Sequence, residues 1–66
     1  MNEYAIILAD GQRKLVSVDM DQVFALCFKR EWDIREWAMR VAVKRGWTLN
    51  HGHVVDVDMG GQHELR

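Results

Sequence analysis

Two short runs of hydrophobic residues, separated by a turn, open the chain. Residues 4–8 (YAIIL) form the first run and residues 15–18 (LVSV) form the second. Between them lies Asp10-Gly11, a dipeptide that two-residue hairpin turns prefer because both positions tolerate a positive φ. Apolar runs that flank such a turn are typical of β-strands. The pattern therefore predicts an N-terminal β-hairpin.

A two-residue turn also predicts which residues of the hairpin share a face. It pairs Leu8 with Arg13, Ile6 with Leu15, and Tyr4 with Ser17. One face then collects Tyr4, Ile6, Leu8 and Leu15, and the other collects Ala5, Ile7, Val16 and Val18, with Lys14 at its edge. Antiparallel sheets with one wet face alternate more cleanly than this. We therefore expect both faces to be covered, by the domain itself, by a second copy or by a partner.

Helical spacing of hydrophobic residues follows the hairpin. Four residues recur at intervals of three, one and three: Met20, Val23, Phe24 and Cys27. Either Asp19 or Asp21 can cap the start of this helix, since a carboxylate accepts hydrogen bonds from the free N–H groups of the first turn. Because residues 23–28 are apolar on all sides, we expect this first helix to be buried.

A second helix is predicted over residues 33–45. Asp33 can cap its start, Glu36 occupies the capping-box position, and Gly46 can end it in the left-handed conformation. Its inward stripe consists of Ile34, Trp37, Ala38 and Val41. A straight continuation of the first helix would place Glu31 in this apolar stripe. A break or kink near residues 31–33 is therefore favoured, which gives two short helices or one kinked helix.

The last predicted element is a strand over residues 53–59. His53, Val55, Val57 and Met59 alternate along it with Val54, Asp56 and Asp58. The residues at 50–52 are typical of a turn, so residues 47–49 are predicted as a short strand paired with it. The expected fold is α+β: a small antiparallel sheet, made of the N-terminal hairpin and a C-terminal strand or hairpin, with the helices on one face. We expect residues 1–60 to form one domain and residues 61–66 to form a flexible C-terminal tail.

Length and charge limit the functions that the chain can have. It has 66 residues and a net charge of −1. A chain this short buries only about 60% of its unfolded surface, which leaves few residues to wall a deep cleft. Residues 29–45 contain six basic and three acidic residues, whereas the segments on either side are acidic. Because the sequence has neither an apolar run long enough to span a bilayer nor a secretory leader, and contains a single cysteine, Cys27, we expect a cytoplasmic protein without a membrane partner.

The residues that could carry chemistry do not form a catalytic or metal-binding motif. Five candidate ligands lie within thirteen residues: His51, His53, Asp56, Asp58 and His63. A polar turn beside a strand with an acidic face accounts for them without a metal. Cys27 lies among large apolar residues, not in the exposed electropositive setting of a reactive thiol. We therefore predict no enzymatic activity, no metal and no cofactor.

The tryptophans and the basic residues of the second helix are the best candidates for a binding surface. A small domain buries three tryptophans with difficulty. Trp37 falls on the inward stripe, whereas Trp32 and Trp47 lie at the two helix boundaries. Tryptophan and arginine dominate the binding energy of many interfaces. We predict that Trp32, Arg40, Lys44 and Trp47 contact a partner protein, and that the second face of the hairpin is a further partner or dimer surface.

Residues 13–45, a strand followed by two helices, resemble the ribbon-helix-helix DNA-binding repressors. In that family the strand pairs with its twin in a dimer, and outward polar residues of the ribbon enter the major groove. The residues that the resemblance assigns to DNA contact are Arg13, Leu15 and Ser17, or Lys14 in the opposite register. The start of the second helix, near residues 33–36, would contact a phosphate. A dimeric DNA-binding regulator is therefore the alternative hypothesis.

Small α+β chains without catalytic motifs also resemble, in kind, the accessory proteins of phages and mobile elements. Such proteins commonly dock on a host enzyme or defence complex and block it, and this likeness is an analogy of chain type. It implies an inhibitor or modulator in which tryptophan anchors supply affinity and the basic residues steer the protein toward an acidic patch. We favour this hypothesis: a non-enzymatic protein-binding module that could also form a homodimer.

Overall fold

The computed structural model describes residues 2–59, which form a three-stranded sheet and three helices. The elements are β1 (Asn2–Leu8), β2 (Arg13–Val18), α1 (Met20–Arg30), α2 (Ile34–Lys44), α3 (Trp47–His51) and β3 (Val54–Asp58). All strand pairs are antiparallel, and β1 lies between β2 and β3. The α+β prediction is confirmed. The predicted tail, residues 61–66, lies outside the described residues.

The turn between β1 and β2 contains three residues, not the two that the sequence predicted. The Leu8 N–H donates to the Gln12 carbonyl at 2.9 Å, and the Gly11 N–H donates to the Leu8 carbonyl at 2.8 Å. Gly11 has a φ of 91°, which is the left-handed conformation that a three-residue hairpin loop requires at its last position. The loop therefore spans residues 9–11.

The longer loop shifts the pairing by one residue and exchanges the two faces of β2. Tyr4 lies opposite Val16, and Ala5 lies opposite Leu15. Val16 consequently belongs to the core, whereas Leu15 is 65% exposed on the outer face of the sheet. The predicted register was therefore wrong by one residue. A slip of one residue moves every side chain of a strand to the opposite face of the sheet.

β3 contains a bulge that the alternating pattern did not reveal. Ile7 lies opposite Asp56 and Leu8 lies opposite Val54, so Val55 has no counterpart on β1. Val54 is therefore buried and Val55 is exposed, although the predicted alternation placed Val54 on the same side of the strand as Asp56.

α1 and α2 are separate helices, which is one of the two arrangements that the predicted break or kink near residues 31–33 left open. Asp19 caps α1 by accepting hydrogen bonds from backbone N–H groups of its first turn. At the other end, Glu31 has a φ of 61°, and the Trp32 N–H donates to the Cys27 carbonyl at 2.9 Å. This combination of a left-handed residue and a six-to-one hydrogen bond is a Schellman motif, which ends the helix.

The prediction that α1 is buried was wrong for most of its surface. Val23 and Cys27 are its buried residues, whereas Phe24, Leu26 and Phe28 are exposed. Hydrophobic residues surround the helix, but the core contacts only one side of it.

We expect Glu31→Gly to stabilise the protein. The left-handed conformation costs a residue that has a Cβ about 1 kcal/mol, and glycine avoids this cost. In a domain of this size, 1 kcal/mol raises the Tm by about 4–8 °C. Thermal unfolding measures the change, with Glu31→Ala as the control that removes the carboxylate and keeps the Cβ. A glycine variant no more stable than the alanine variant would contradict the prediction.

α2 begins and ends as predicted, but the segment after it does not form a strand. The Asp33 carboxylate accepts a hydrogen bond from the Glu36 N–H at 2.7 Å, and Gly46 follows the helix with a φ of 79°. Residues 47–49 belong to the short helix α3. A helical turn packs Trp47 against the core while the chain reverses toward β3, and this packing outweighs the strand preference of Trp and Thr.

Tyr4 and Trp37 pack together at the centre of the core. Their rings meet edge to face, with centroids 5.8 Å apart and an angle of 86° between the planes. Trp37 is buried, as its place on the predicted stripe required. The Tyr4 hydroxyl is also buried, and it has no hydrogen-bond partner among the described residues. Burial and, to a smaller extent, Cys27 raise the pKa of this hydroxyl.

Tyr4→Phe should therefore make the protein more stable. A buried hydroxyl without a hydrogen bond costs about 1–3 kcal/mol, and phenylalanine removes the hydroxyl while keeping the ring. We expect a gain of about 1 kcal/mol in the free energy of unfolding, measured by urea denaturation. A loss of stability would show that the hydroxyl has a partner in solution.

Candidate protein-binding surface

Trp32, the first predicted contact residue, lies close to two arginines. The guanidinium carbon of Arg40 is 4.6 Å from the centroid of the Trp32 ring, and that of Arg30 is 5.9 Å from it. Arg40 also donates a hydrogen bond to the Glu36 carboxylate at 3.0 Å. The indole is half-buried against the core, so packing holds it in place while part of it stays accessible. The structure thus brings two predicted contact residues together and adds Arg30.

Trp47, which follows α2, contacts a second pair of cations. The Arg45 guanidinium carbon is 5.5 Å from the centroid of a Trp47 ring, and the Lys14 ammonium is 5.8 Å from one. Lys14 belongs to β2, so a local sequence pattern does not indicate this contact. All four cation–aromatic contacts described within residues 2–59 involve Trp32 or Trp47.

The remaining predicted contact, Lys44, lies on the exposed side of α2. It follows Arg40 by one helical turn, and Val43 beside it is also exposed. α2 contains 11 residues and is therefore about 16 Å long. Trp32 and Trp47 lie just beyond its two ends. The four predicted residues are thus distributed along α2, with Trp32 and Arg40 as the pair in direct contact.

α1 adds exposed hydrophobic side chains that the sequence analysis did not assign to the site. Phe24 and Phe28 lie one turn apart, and Phe28 is 88% exposed. Leu26 lines a shallow groove together with Trp37. The run of apolar residues at 23–28 could have indicated this exposure, because a core this small can cover only one side of a helix.

The structure places the two basic residues of the DNA-binding hypothesis on opposite faces of the sheet. Arg13 donates to the Asp58 carboxylate at 3.1 Å on the outer face of the sheet. Lys14 lies on the opposite, helix-facing side over a tryptophan ring. Arg13 and Ser17 share the outer face, as the resemblance required, but Asp56 lies on that face too. Carboxylates on this face would repel the phosphates of a duplex.

His51 contacts the turn of the N-terminal hairpin. Its Nδ1 lies 2.7 Å from the Asp10 carboxylate, and the Asp10 N–H donates to the His51 carbonyl at 3.2 Å. In the described part of the chain, no group of three or more His, Cys, Asp and Glu residues could hold a metal ion. His63, one of the candidate ligands, lies outside that part.

Cys27 has the environment of a structural cysteine. It is a buried, free thiol in the core. Burial and, to a smaller extent, the charge of Asp33 raise the pKa of the thiol. A nucleophilic cysteine requires a lowered pKa and an accessible sulfur, so this site does not provide the conditions for thiol chemistry.

The contact between Asp10 and His51 should make stability depend on pH. Hydrogen bonds from His51 and from the Gln12 N–H lower the pKa of the Asp10 carboxyl in the folded protein. Such a carboxyl stabilises the fold above its unfolded pKa of about 3.9, and the stabilisation is lost as the pH falls through the lower folded value. We expect Asp10→Asn to lower the Tm at neutral pH, by an amount that shrinks below about pH 4. A difference from wild type that stays constant with pH would count against this explanation.

Comparisons with protein families, curated proteins and solved structures find no match to this chain. Within residues 2–59, no helix combines the length and the apolar character that crossing a membrane requires. The functional argument therefore depends on the exposed residues of α1 and α2 and on Trp32, which lies between the two helices in the chain.

Proposed function

We propose that the chain is a small, non-enzymatic protein-binding module that inhibits or modulates another protein or complex by covering part of its surface. The cluster of Arg30, Trp32 and Arg40, whose first residue lies two positions after the exposed Phe28, is the observation that carries this proposal. By analogy, the module is an accessory protein of a phage or mobile element. We place it in the cytoplasm, where the free thiol of Cys27 stays reduced.

The exposed hydrophobic residues of α1 support a protein partner. Phe24 and Phe28 are large side chains on one helix, and their exposure to water is unfavourable unless a partner covers them. Exposed apolar patches on small proteins commonly mark interaction sites. An aromatic residue that enters a pocket of the partner can contribute about 2 kcal/mol or more.

The basic residues indicate that the partner surface is acidic. Residues 29–45 have a net charge of +3, although the whole chain has a net charge of −1. Packing against Trp32 restricts Arg30 and Arg40 before binding, so less side-chain entropy is lost when they meet carboxylates. Lys44 and the cations around Trp47 extend the positive surface along α2 and increase the rate of association with an acidic protein.

A capture experiment with matched surface variants tests the proposal. The full chain is tagged and exposed to lysate of its native cells, and captured proteins are quantified by mass spectrometry. Phe28→Ser should reduce the recovery of the partner at least tenfold, because a serine cannot fill an apolar pocket. Leu49→Ser, which changes an equally exposed leucine on α3, is the control and should leave recovery unchanged.

Arg40→Ala and Trp32→Ala are then measured with the purified partner. We expect each to raise the Kd about 30-fold, which corresponds to the loss of about 2 kcal/mol from an interface anchor. Unchanged affinity of the partner for Phe28→Ser, Arg40→Ala and Trp32→Ala would reject this surface. Binding of duplex DNA that weakens steeply with salt and is lost in Arg13→Ala would instead establish the DNA-binding regulator.

A further inference from the structure

The two edges of the sheet differ in how they are protected from pairing with another strand. The edge formed by β3 contains the bulge at Val55. In addition, the Asp56 carboxylate accepts a hydrogen bond from the Val57 N–H at 2.8 Å, a group that the register directs away from β1. Bulges and edge carboxylates both hinder the addition of a strand. The edge formed by β2, residues 13–18, contains no bulge and no acidic side chain.

The hairpin register determines which backbone groups of β2 point to the open edge. The Leu8 N–H donates to the Gln12 carbonyl. Because hydrogen-bonded pairs alternate along an antiparallel ladder, the backbone N–H and C=O groups of Lys14 and Val16 also point toward β1. The N–H and C=O groups of Arg13 and Leu15 therefore point away from β1. They are positioned to continue the ladder with a further strand.

Charged side chains usually protect an edge strand, but here both basic residues of β2 have partners within the domain. Arg13 leans across the outer face of the sheet to Asp58 on β3, at 3.1 Å. Lys14 lies over Trp47 on the helix-facing side. Leu15, between them, is 65% exposed and is the side chain that the edge presents to a partner.

We propose that β2 pairs antiparallel with β2 of a second copy around a two-fold axis at Leu15, which gives a continuous six-stranded sheet. In this register Leu15 lies opposite Leu15 of the second copy, and Lys14 lies opposite Val16. Arg13 lies opposite Ser17. No like charges face each other, and the two leucines bury surface that the monomer leaves exposed. A shift by two residues in one direction would instead oppose the two Lys14 side chains, which is unfavourable.

Charge-swap variants test this pairing. The mass of the full chain is measured by sedimentation over a range of concentrations, together with Leu15→Glu and Leu15→Lys. We expect the wild type to dimerise and each variant to self-associate at least about tenfold more weakly, because like charges then meet at the axis. An equimolar mixture of the two variants should recover the dimer, since opposite charges meet there. Leu49→Glu, which places the same charge on exposed α3, should dimerise as the wild type does.

Circular dichroism checks that the variants are folded, which we expect for changes at an exposed side chain. A wild-type chain that stays monomeric at all concentrations would overturn the proposal. So would a dimer that both Leu15 variants retain, or a mixture of the two that fails to associate. Stronger self-association of Leu15→Glu alone would also overturn it, because that result would place Leu15 opposite Arg13.

Discussion

Replacement of Trp37 by alanine is expected to leave most of the protein unfolded at room temperature. Trp37 is buried to 6% exposure, and its ring packs edge to face on Tyr4. Removing a buried tryptophan side chain costs about 3–5 kcal/mol in lost burial and cavity formation. A single core in a chain of this size rarely supplies more than about 3–5 kcal/mol in total. The substitution therefore removes nearly all of the stability that the fold has.

Far-UV circular dichroism and urea denaturation measure this effect. Trp47→Ala is the matched control: it removes the same side chain from a half-buried position, so its cost should be clearly smaller. Cooperative unfolding of Trp37→Ala within about 1 kcal/mol of the wild type would mean that the edge-to-face pair is not the centre of the core. Equal losses for both variants would lead to the same conclusion.

Gly52→Ala is expected to have the next largest effect. Gly52 ends α3 with φ 85° and ψ −169°, a combination that is essentially restricted to glycine. A Cβ at this position would also lie 2.9 Å from the Cβ of Ala9 in the hairpin turn. The backbone strain alone costs about 1–3 kcal/mol, and the collision adds to it. Because Gly52 lies next to His51, the substitution should also disturb the contact between α3 and the turn.

Gly46→Ala separates the two contributions to this cost. Gly46 has a positive φ, but a Cβ there would have open space around it, so we expect a loss of only about 1 kcal/mol. In the Gly52→Ala background, Ala9→Gly should restore the part of the stability that the collision removes. Thermal unfolding of the wild type, Gly46→Ala, Gly52→Ala and the double variant Gly52→Ala with Ala9→Gly measures these differences. If Gly52→Ala cost no more than Gly46→Ala, the close approach of α3 to the hairpin would not exist in solution.

The sequence predicted α1 and α2 well because their boundaries depend on local interactions. Asp19 and Asp33 accept hydrogen bonds from residues two or three positions away, and Gly46 ends its helix through its own backbone freedom. The end of α1 at Glu31 is also decided locally, because a charged residue there interrupts the apolar stripe that one continuous helix would need. In each case, the residues that decide the structure are neighbours in the chain.

The sequence predicted the hairpin but not its register. Asp10-Gly11 indicated a turn correctly, yet the turn includes Ala9 as well. A difference of one residue in the loop has a small local energy, whereas it decides whether Leu15 or Val16 enters the core. The chain adopts the loop length that places the apolar side chains of both strands against the helices, and this packing involves the whole domain.

The sequence indicated only part of the candidate site, because some of its contacts join elements that are distant in the chain. Trp32, Arg40, Lys44 and Trp47 could be chosen from residue type and position along the helices. The contact of Lys14 with Trp47 could not, because it joins β2 to α3. The exposure of Phe28 could not be predicted from its hydrophobic neighbours either, since it depends on how much of α1 the rest of the domain covers.

By itself, the sequence determined the fold class, the capped helices α1 and α2, and the position but not the length of the turn between the first strands. These features are stabilised by interactions between residues close together in the chain, so local patterns are sufficient to specify them. Only the tertiary structure decided the strand register, the bulge in β3, the exposed side of α1 and the cations that surround each boundary tryptophan. These features depend on the packing of elements that are distant in sequence, and a domain this small has only one core against which to pack them.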